Sequence, residues 1–258
     1  MVRCYGSMGL ANNLKSLVSA CNLYEAGNIC VDWRRHNFSG LFGGGGVGVG
    51  CGGDEGFFSY RFILKEMEGL REGFNIYHFP GAREDGRNID HMFSKIPSDV
   101  RDAVVNGLWS LGPLDLLLDK CEAFYARHCW DVSVHYRCFE TDSWDRWDFG
   151  FDDSELVGLL SKFPKRKVFV ASDNFGRGVE FGARCGHDCV FFRDDSLSWE
   201  QLAFCDMLLL GRGKLLFSPQ FSTFSELSWF WGGCVQDVCN YKSGHYLLDF
   251  ETVWHSGC

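Results

Sequence analysis

The chain has 258 residues, enough for one large or two small domains with a sizeable core. Its 46% hydrophobic and 23% charged content is that of a soluble globular protein. A net charge of −9 argues against a general nucleic-acid or membrane-surface binder, so an anionic ligand has to be met by individual arginines. No apolar run is long enough to span a bilayer. The N-terminus lacks a basic stretch followed by an apolar one, which predicts a cytoplasmic protein; a trimmed secretory-pathway sequence would read the same way. The 13 cysteines are scattered and odd in number, which favours buried thiols over a disulfide framework. Cys185-Gly186-His187-Asp188-Cys189 and the pair Cys234 and Cys239 lack the C-x-x-C spacing of zinc knuckles, so no metal site is expected.

Residues 2–5 read as a first strand, followed by a Gly6-Ser7-Met8-Gly9 turn. Over residues 11–26, Leu14, Leu17, Val18, Cys21 and Leu23 recur at helical spacing, and Gly27 ends the pattern. Strand, glycine turn and helix together suit a phosphate at the helix N-terminus. The Rossmann G-x-G-x-x-G is not satisfied, so no dinucleotide cofactor is indicated. Residues 29–33 read as a second strand, ending in the basic cluster Arg34, Arg35 and His36. The cluster fits a surface turn as well as a substrate contact. The glycine-dominated stretch 40–53 has no G-K-[ST] and reads as a flexible surface loop or lid. A strand is expected at 74–79, a polar loop at 80–90, and helices at 98–111 and 114–128, the first capped by Ser98.

Beyond residue 130 the alternation is regular. Strands are expected at 131–137, 167–171, 189–192 and 214–217. Helices are expected at 154–163, 177–184, 199–210 and 223–231, with Asp152 and Asp153 suited to the start of the first. Such alternation predicts a parallel sheet with helices on both faces. The chain then divides into residues 1–129, with the glycine-rich loop 40–53, and residues 130–258.

Three strand-to-helix junctions in the second half carry polar groups. His135, Arg137 and Glu140 follow the first strand. A planar, permanently charged guanidinium suits a phosphate better than lysine does, although solvated charges at a strand end would look alike. Ser172-Asp173-Asn174 follows the second strand, and Asp173 there suits a ribose hydroxyl or a base amino group. Ser222-Thr223-Phe224-Ser225 opens the last helix, where hydroxyls and free amides make an anion site. Thr223 and Glu226 in that stretch also fit a capping box that needs no ligand.

In this order, the junctions resemble the GDP-fucose-dependent fucosyltransferase superfamily of α-1,2, α-1,6 and protein O-fucosyltransferases. Gly9-Leu10-Ala11-Asn12-Asn13-Leu14-Lys15 is similar to its opening G-x-G-N-x-L segment. His135-Tyr136-Arg137 is similar to its H-x-R motif. Val170 to Asn174, and Ser222-Thr223-Phe224-Ser225 with Gly232-Gly233 after it, are similar to its later motifs. The resemblance covers at least residues 2–33 and 130–235. It implies a GT-B architecture, α/β, with two Rossmann-like domains whose parallel sheets face across a cleft, the nucleotide being held by the C-terminal one. It also implies inverting, metal-independent transfer of fucose from GDP-fucose to a glycan or glycoprotein acceptor, with no further cofactor. Arg137 then matches the arginine on the donor diphosphate. His135, Asp173 and Asn174 match nucleoside contacts, and Ser222, Thr223, Phe224 and Ser225 a second phosphate anchor. Gly9 and Asn12 belong to the opening motif on the donor side. Asp145 stands where the α-1,6 relatives carry a base carboxylate, with Glu140 second. The second glycine and the arginine of the opening motif are replaced by Ala11 and Asn13. That departure leaves open a second reading, an inactive GT-B-like module that binds nucleotide or glycan, and a third, transfer from another sugar nucleotide.

The chemistry of the residues runs the same way. Cleaving a sugar–diphosphate bond develops charge on the leaving phosphate, which a metal or fixed donors can stabilise. The Asp-x-Asp motif common in metal-dependent glycosyltransferases is absent from the sequence. An arginine with a helix N-terminus is the metal-free arrangement, and an acceptor hydroxyl also needs a base. Glu140, Asp142 and Asp145 all lie just beyond Arg137.

Overall fold

The computed structural model describes residues 2–6, 9–23, 26–33, 37–43, 47–49, 57–58, 98–138, 153–219, 222–241 and 253–254. The chain divides into two compact units, residues 1–120 with 194–205, and residues 121–193 with 206–258. The expected division at 129/130 falls at the end of the helix that runs through the first of these crossings.

The first unit starts with β1 (Val2–Gly6), α1 (Leu10–Leu23) and β2 (Ile29–Trp33). β1 and β2 pair in parallel from Val2 with Ile29 to Gly6 with Trp33. Two short strands, β3 (Gly48–Val49) and β4 (Phe57–Phe58), complete a parallel sheet in the order β3-β2-β1-β4. Leu14, Leu17 and Val18 of α1 are buried, the three-and-four spacing of a core-facing stripe, and α1 packs on α2 (Ser98–Ser110).

The glycine-rich stretch is not simply a surface loop. Leu41, Phe42 and Val47 are buried, and Gly48 and Val49 form β3. The Phe42 ring meets the Phe204 ring edge-on at 5.0 Å, and the Gly40 carbonyl accepts from Gln201 Nε2 at 2.9 Å. Buried apolar residues between the glycines anchor the segment, and pairing with β2 makes a strand where composition gives none. The strand expected at 74–79, the loop at 80–90 and the Arg34–His36 cluster lie outside the described residues.

The second unit takes up α3 (Asp115–His128) partway along its length. It continues through β5 (Val132–Tyr136), α4 (Ser154–Leu160), β6 (Lys167–Ser172), α5 (Phe175–Arg184) and β7 (Asp188–Val190). α6 (Trp199–Leu210), which starts in the first unit, leads into β8 (Leu215–Pro219), α7 (Thr223–Trp231), β9 (Asp237–Tyr241) and β10 (Val253–Trp254). The sheet order is β10-β9-β8-β5-β6-β7, parallel except for β10 against β9. From β5 the chain builds outward through β6 and β7, then returns to the other side of β5 with β8. Both sheets thus put their first strand between the second and the fourth, and the order reverses between first and fourth.

β5 is buried along its whole length, and its side chains alternate between two faces. Val132, Val134 and Tyr136 enter one core with Val168, Val170, Leu156, Leu160 and Phe181, beneath α4 and α5. Ser133 and His135 point the opposite way. Ser133 accepts from the Trp130 indole at 3.1 Å, and Trp130 stacks on Phe169 at 4.8 Å under Phe124 of α3. β9, absent from the sequence reading, supplies the buried Val238 and Tyr241.

The ends of α6 and α7 meet backbone to backbone. A Cβ on Gly211 would lie 2.6 Å from the Ser228 carbonyl oxygen and 3.0 Å from the Gly232 nitrogen. By contrast, Gly158 of α4 is exposed, and a Cβ there meets nothing within 4 Å. Gly211→Ala is therefore expected to cost about 1–3 kcal/mol through forced backbone shifts. Gly158→Ala is expected to gain about 0.5–1 kcal/mol by helix propensity. Thermal and urea melts of the two variants check this; a Gly211→Ala protein as stable as the parent contradicts the close approach.

Candidate functional site

A doubly wound sheet binds ligands outside the carboxyl ends of its strands where the order reverses. In the second unit that place is the end of β5 next to the end of β8. β5 ends at Tyr136, and Arg137 and Cys138 leave the sheet there. β8 ends at Pro219, and α7 starts nearby, with Ser222 at its cap position.

The start of α7 is built on hydroxyls. Ser222 has extended backbone (φ −85°, ψ 104°), and its Oγ accepts from the Ser225 amide at 3.1 Å. The cap is therefore Ser222 rather than the Thr223 of the expected Thr223–Glu226 box. Glu226 donates its amide to the Ser222 carbonyl at 3.1 Å, the first helical bond, and its side chain is buried. The amides of Thr223 and Phe224 precede that bond and have no partner within the helix.

His135 joins this helix start to β5. Its Nδ1 lies 2.8 Å from Ser225 Oγ and 3.1 Å from Ser222 Oγ, and its ring lies against Phe224 at 5.0 Å. Burial, with Arg137 adding to it, pushes the imidazole down to about 3, so the ring is neutral at physiological pH. With Ser225 Oγ donating to Ser222 Oγ and Ser222 Oγ donating to Nδ1, the proton is assigned to Nε2. The His135 carbonyl accepts from the Tyr241 hydroxyl at 2.5 Å, a contact from β9.

Asp173 links the ends of β5 and β6. Its Oδ1 accepts from the Cys138 amide at 2.7 Å, and its Oδ2 lies 3.9 Å from Arg137 Nε. Side-chain exposures of 37% for Arg137 and 40% for Asp173 make this a solvent-screened pair. Arg137 meets Asp173 across the ends of β5 and β6. Asn174 caps α5, its Oδ1 accepting from the Arg177 amide at 3.1 Å.

A second layer lies on the other face of β5. The Tyr136 hydroxyl donates to Asp153 Oδ2 at 2.9 Å, and Arg184 grips the same carboxylate with two nitrogens, at 3.2 and 2.5 Å. The Tyr136 ring stacks on Phe181 at 4.4 Å, and burial pushes its phenol above the usual range. This layer fixes Tyr136 between His135 and Arg137. Its parts are far apart in sequence, and only the alternation along β5 hints that Tyr136 faces away from His135.

The structure thus brings His135, Arg137, Asp173, Ser222, Thr223, Phe224 and Ser225 to one end of the second sheet, with Asn174 next to Asp173 as a helix cap. Glu140 and Asp145 lie outside the described residues, as does Asp142. In the first unit, Gly9 is exposed and its carbonyl accepts the first bond of α1, from the Asn13 amide at 3.1 Å. Asn12 is half-buried in the same turn, and Ala11 and Asn13 are buried. Among the described residues no cluster of three or more His, Cys, Asp or Glu is placed to hold a metal ion, and no helix is long and apolar enough to cross a membrane.

No protein-family model matches the chain, and no curated protein sequence does. Solved structures do match in fold. NodZ, an α-1,6-fucosyltransferase of Bradyrhizobium solved after soaking with GDP-fucose, aligns at TM-score 0.55 and 17% identity, over 95% of this chain and 96% of that one. A variant of FUT1 from Arabidopsis thaliana with GDP aligns at 0.52 and 15% identity, over 93% of this chain and 70% of that one. POFUT1 with GDP aligns at 0.52 and 12% identity, over 93% and 97%. The chain has the GT-B fold of these fucosyltransferases.

The depressed His135 value gives a pH prediction. The unfolded imidazole titrates near 6.5 and the folded one near 3. Between these the unfolded state binds more protons, so the contribution of His135 to stability is complete above about pH 6.5 and is lost as pH falls toward 3. His135→Asn, whose Oδ1 can replace Nδ1 as acceptor, is expected to flatten this part of the stability–pH curve relative to the parent. Melts from pH 7 down to 4, taken in parallel, read the difference; identical slopes contradict the buried neutral ring.

Proposed function

We propose that the chain is a glycosyltransferase that transfers fucose from GDP-fucose to a glycan or protein acceptor, with inversion and without a required metal. The convergence of Arg137, Asp173, neutral His135 and the Ser222-capped start of α7 at the reversal of the second sheet carries the reading. The fold shared with three fucosyltransferases solved with GDP or GDP-fucose supports the donor.

In this mechanism the donor diphosphate lies across the ends of β5 and β8. Arg137 presents its guanidinium fork to the phosphate oxygens, and the amides of Thr223 and Phe224 donate to the other side of the same group. The His135 Nε2–H donates to the donor, and Asp173 accepts from the nucleoside. Asn174, Ser222 and Ser225 hold the junctions in shape, with Phe224 behind the imidazole. Gly9 and Asn12 are proposed as further donor contacts on the strength of the opening motif. As the acceptor hydroxyl attacks the anomeric carbon, the C–O bond to the diphosphate breaks and GDP leaves with added negative charge. Fixed donors stabilise that charge more than they stabilise the ground state. The acceptor proton goes to a carboxylate, Asp145 in the first place and Glu140 in the second. The buried Ala11 and Asn13, where the relatives' motif has glycine and arginine, favour the alternative of a module that binds the nucleotide without turnover.

GDP is expected to raise the melting temperature more than UDP does. At about a hundred times its dissociation constant a ligand adds roughly 2.7 kcal/mol to stability. An equal or larger shift with UDP removes the guanine donor from the reading and leaves a different sugar nucleotide.

Arg137→Ala is expected to lower kcat on the order of a hundredfold or more, as loss of a transition-state charge stabiliser does. Arg137→Lys keeps the charge without the fork and should recover only part of it. Release of GDP from GDP-fucose, followed with candidate glycan acceptors alongside a melt of each variant, measures both. A folded Arg137→Ala protein with near-normal turnover would overturn the site. GDP binding with no turnover on any acceptor favours the inactive module.

A further inference from the structure

α5 ends at Arg184, and the chain reverses through Cys185, Gly186 and His187 into β7, which holds Cys189. Gly186 has a left-handed backbone (φ +78°), and the turn brings the two Sγ atoms to 3.2 Å. A disulfide bond is about 2.05 Å long, so closing the pair needs a sulfur movement of only about 1 Å. The turn is held from behind. The Asp188 amide donates to the Arg166 carbonyl at 3.0 Å, and His187 Nδ1 accepts from the Arg166 amide at 3.3 Å. His187 Nε2 then donates to the Leu160 carbonyl at 3.1 Å, so both ring nitrogens are committed and the imidazole is not a metal ligand. Gly182 lets α5 lie directly on β7, since a Cβ there would be 3.1 Å from the Cys189 Cβ.

We propose that Cys185 and Cys189 form a redox-active dithiol that hydrogen peroxide oxidises to a disulfide, stapling the end of α5 to edge strand β7, and that a thiol reductant reopens it. The two sulfurs divide the chemistry between them. The hydrogen bond between the two thiols, with the His187 amide helping against desolvation, lowers Cys185; the same bond and burial push Cys189 up. Either sulfur can donate across the pair, and Cys185 is the one whose thiolate the turn favours. Cys185 is only 5% exposed, which suits a small oxidant, and the flanking Gly186 and Asp188 are exposed. The Cys185 thiolate attacks one peroxide oxygen, the O–O bond breaks, hydroxide leaves, and Cys185 becomes a sulfenic acid. The Cys189 sulfur then attacks the Cys185 sulfur as its proton passes to the departing oxygen; the S–O bond breaks and water leaves. The dithiol is oxidised by two electrons and the peroxide is reduced to water. The staple lies at the far end of the helix that Asn174 caps, so it stiffens the arm that carries Asp173.

The test uses the full chain. Trypsin cuts after Arg184 and Arg193, and the intervening peptide contains Cys185 and Cys189 and no other cysteine. After peroxide treatment, quenching, alkylation under denaturing conditions and digestion, this peptide is expected to carry no alkyl group and to be two hydrogens lighter than its reduced form. Dithiothreitol before alkylation should restore both alkyl groups, and amide exchange across residues 182–190 should slow in the oxidised protein. In Cys185→Ser, Cys189 should stay fully alkylated after the same treatment. The proposal is overturned if the peptide keeps both alkyl groups at peroxide doses that oxidise the exposed Cys129. It is equally overturned if Cys185 passes to sulfinic acid, or if Cys189 is lost from alkylation in Cys185→Ser.

Discussion

Burial of a neutral imidazole beneath the first turn of α7 is the constraint on which the second sheet's reversal depends. Between β6 and β8, β5 has no exposed face, so each of its side chains must belong to one core or the other. Val134 and Tyr136 belong to the core under α4 and α5, which commits His135 to the side of α7. A charged ring there would bear the full desolvation penalty next to Arg137. A neutral ring instead accepts from the Ser222 hydroxyl, which in turn accepts from Ser225, while Ser222 caps the helix. One side chain thereby fixes the distance between the end of β5 and the amides of α7, the two elements from which an anion can be held. Tyr241 secures the same residue through its carbonyl, so the position of β9 in the sheet also bears on His135.

How far the sequence reveals this depends on the range of the forces involved. α6, α7 and β2 match their expected bounds, because each is a mostly apolar run with a local stop. The His135-Tyr136-Arg137 strand end and the Ser222 helix start are legible for the same reason, as polar groups breaking an apolar run. The helix cap is legible only to within a residue. In Ser222-Thr223-Phe224-Ser225-Glu226 two capping patterns overlap, and the bond from the Ser225 amide to Ser222 Oγ decides between them. β3 is hidden inside a glycine run because its pairing with β2, not its composition, makes it a strand. Asp153 reads as a favourable charge at a helix start, yet its carboxylate binds Tyr136 and Arg184 across the fold. Such partners are joined by strand register, which no local pattern records.

The electrostatics of the reversal explain how an acidic chain can receive an anion. Asp173 is held by a short hydrogen bond from the Cys138 amide, whereas its contact with Arg137 is at 3.9 Å and half exposed. A pair of that kind is worth about 0–1 kcal/mol. Asp173 therefore orients the arginine without neutralising it, which is what the proposed contact with a donor diphosphate needs. The architecture itself does not choose the ligand, because both sheets have the same reversal between first and fourth strand and both place a helix start there or near it. The difference lies in side chains. Gly9 begins α1 with no side chain at all, while the second sheet sets a guanidinium, a neutral imidazole and a serine-capped helix at one strand end. In the proposed function, selectivity for a nucleotide phosphate would lie with a few residues around β5, and the fold shared with the fucosyltransferases supplies the place where they meet.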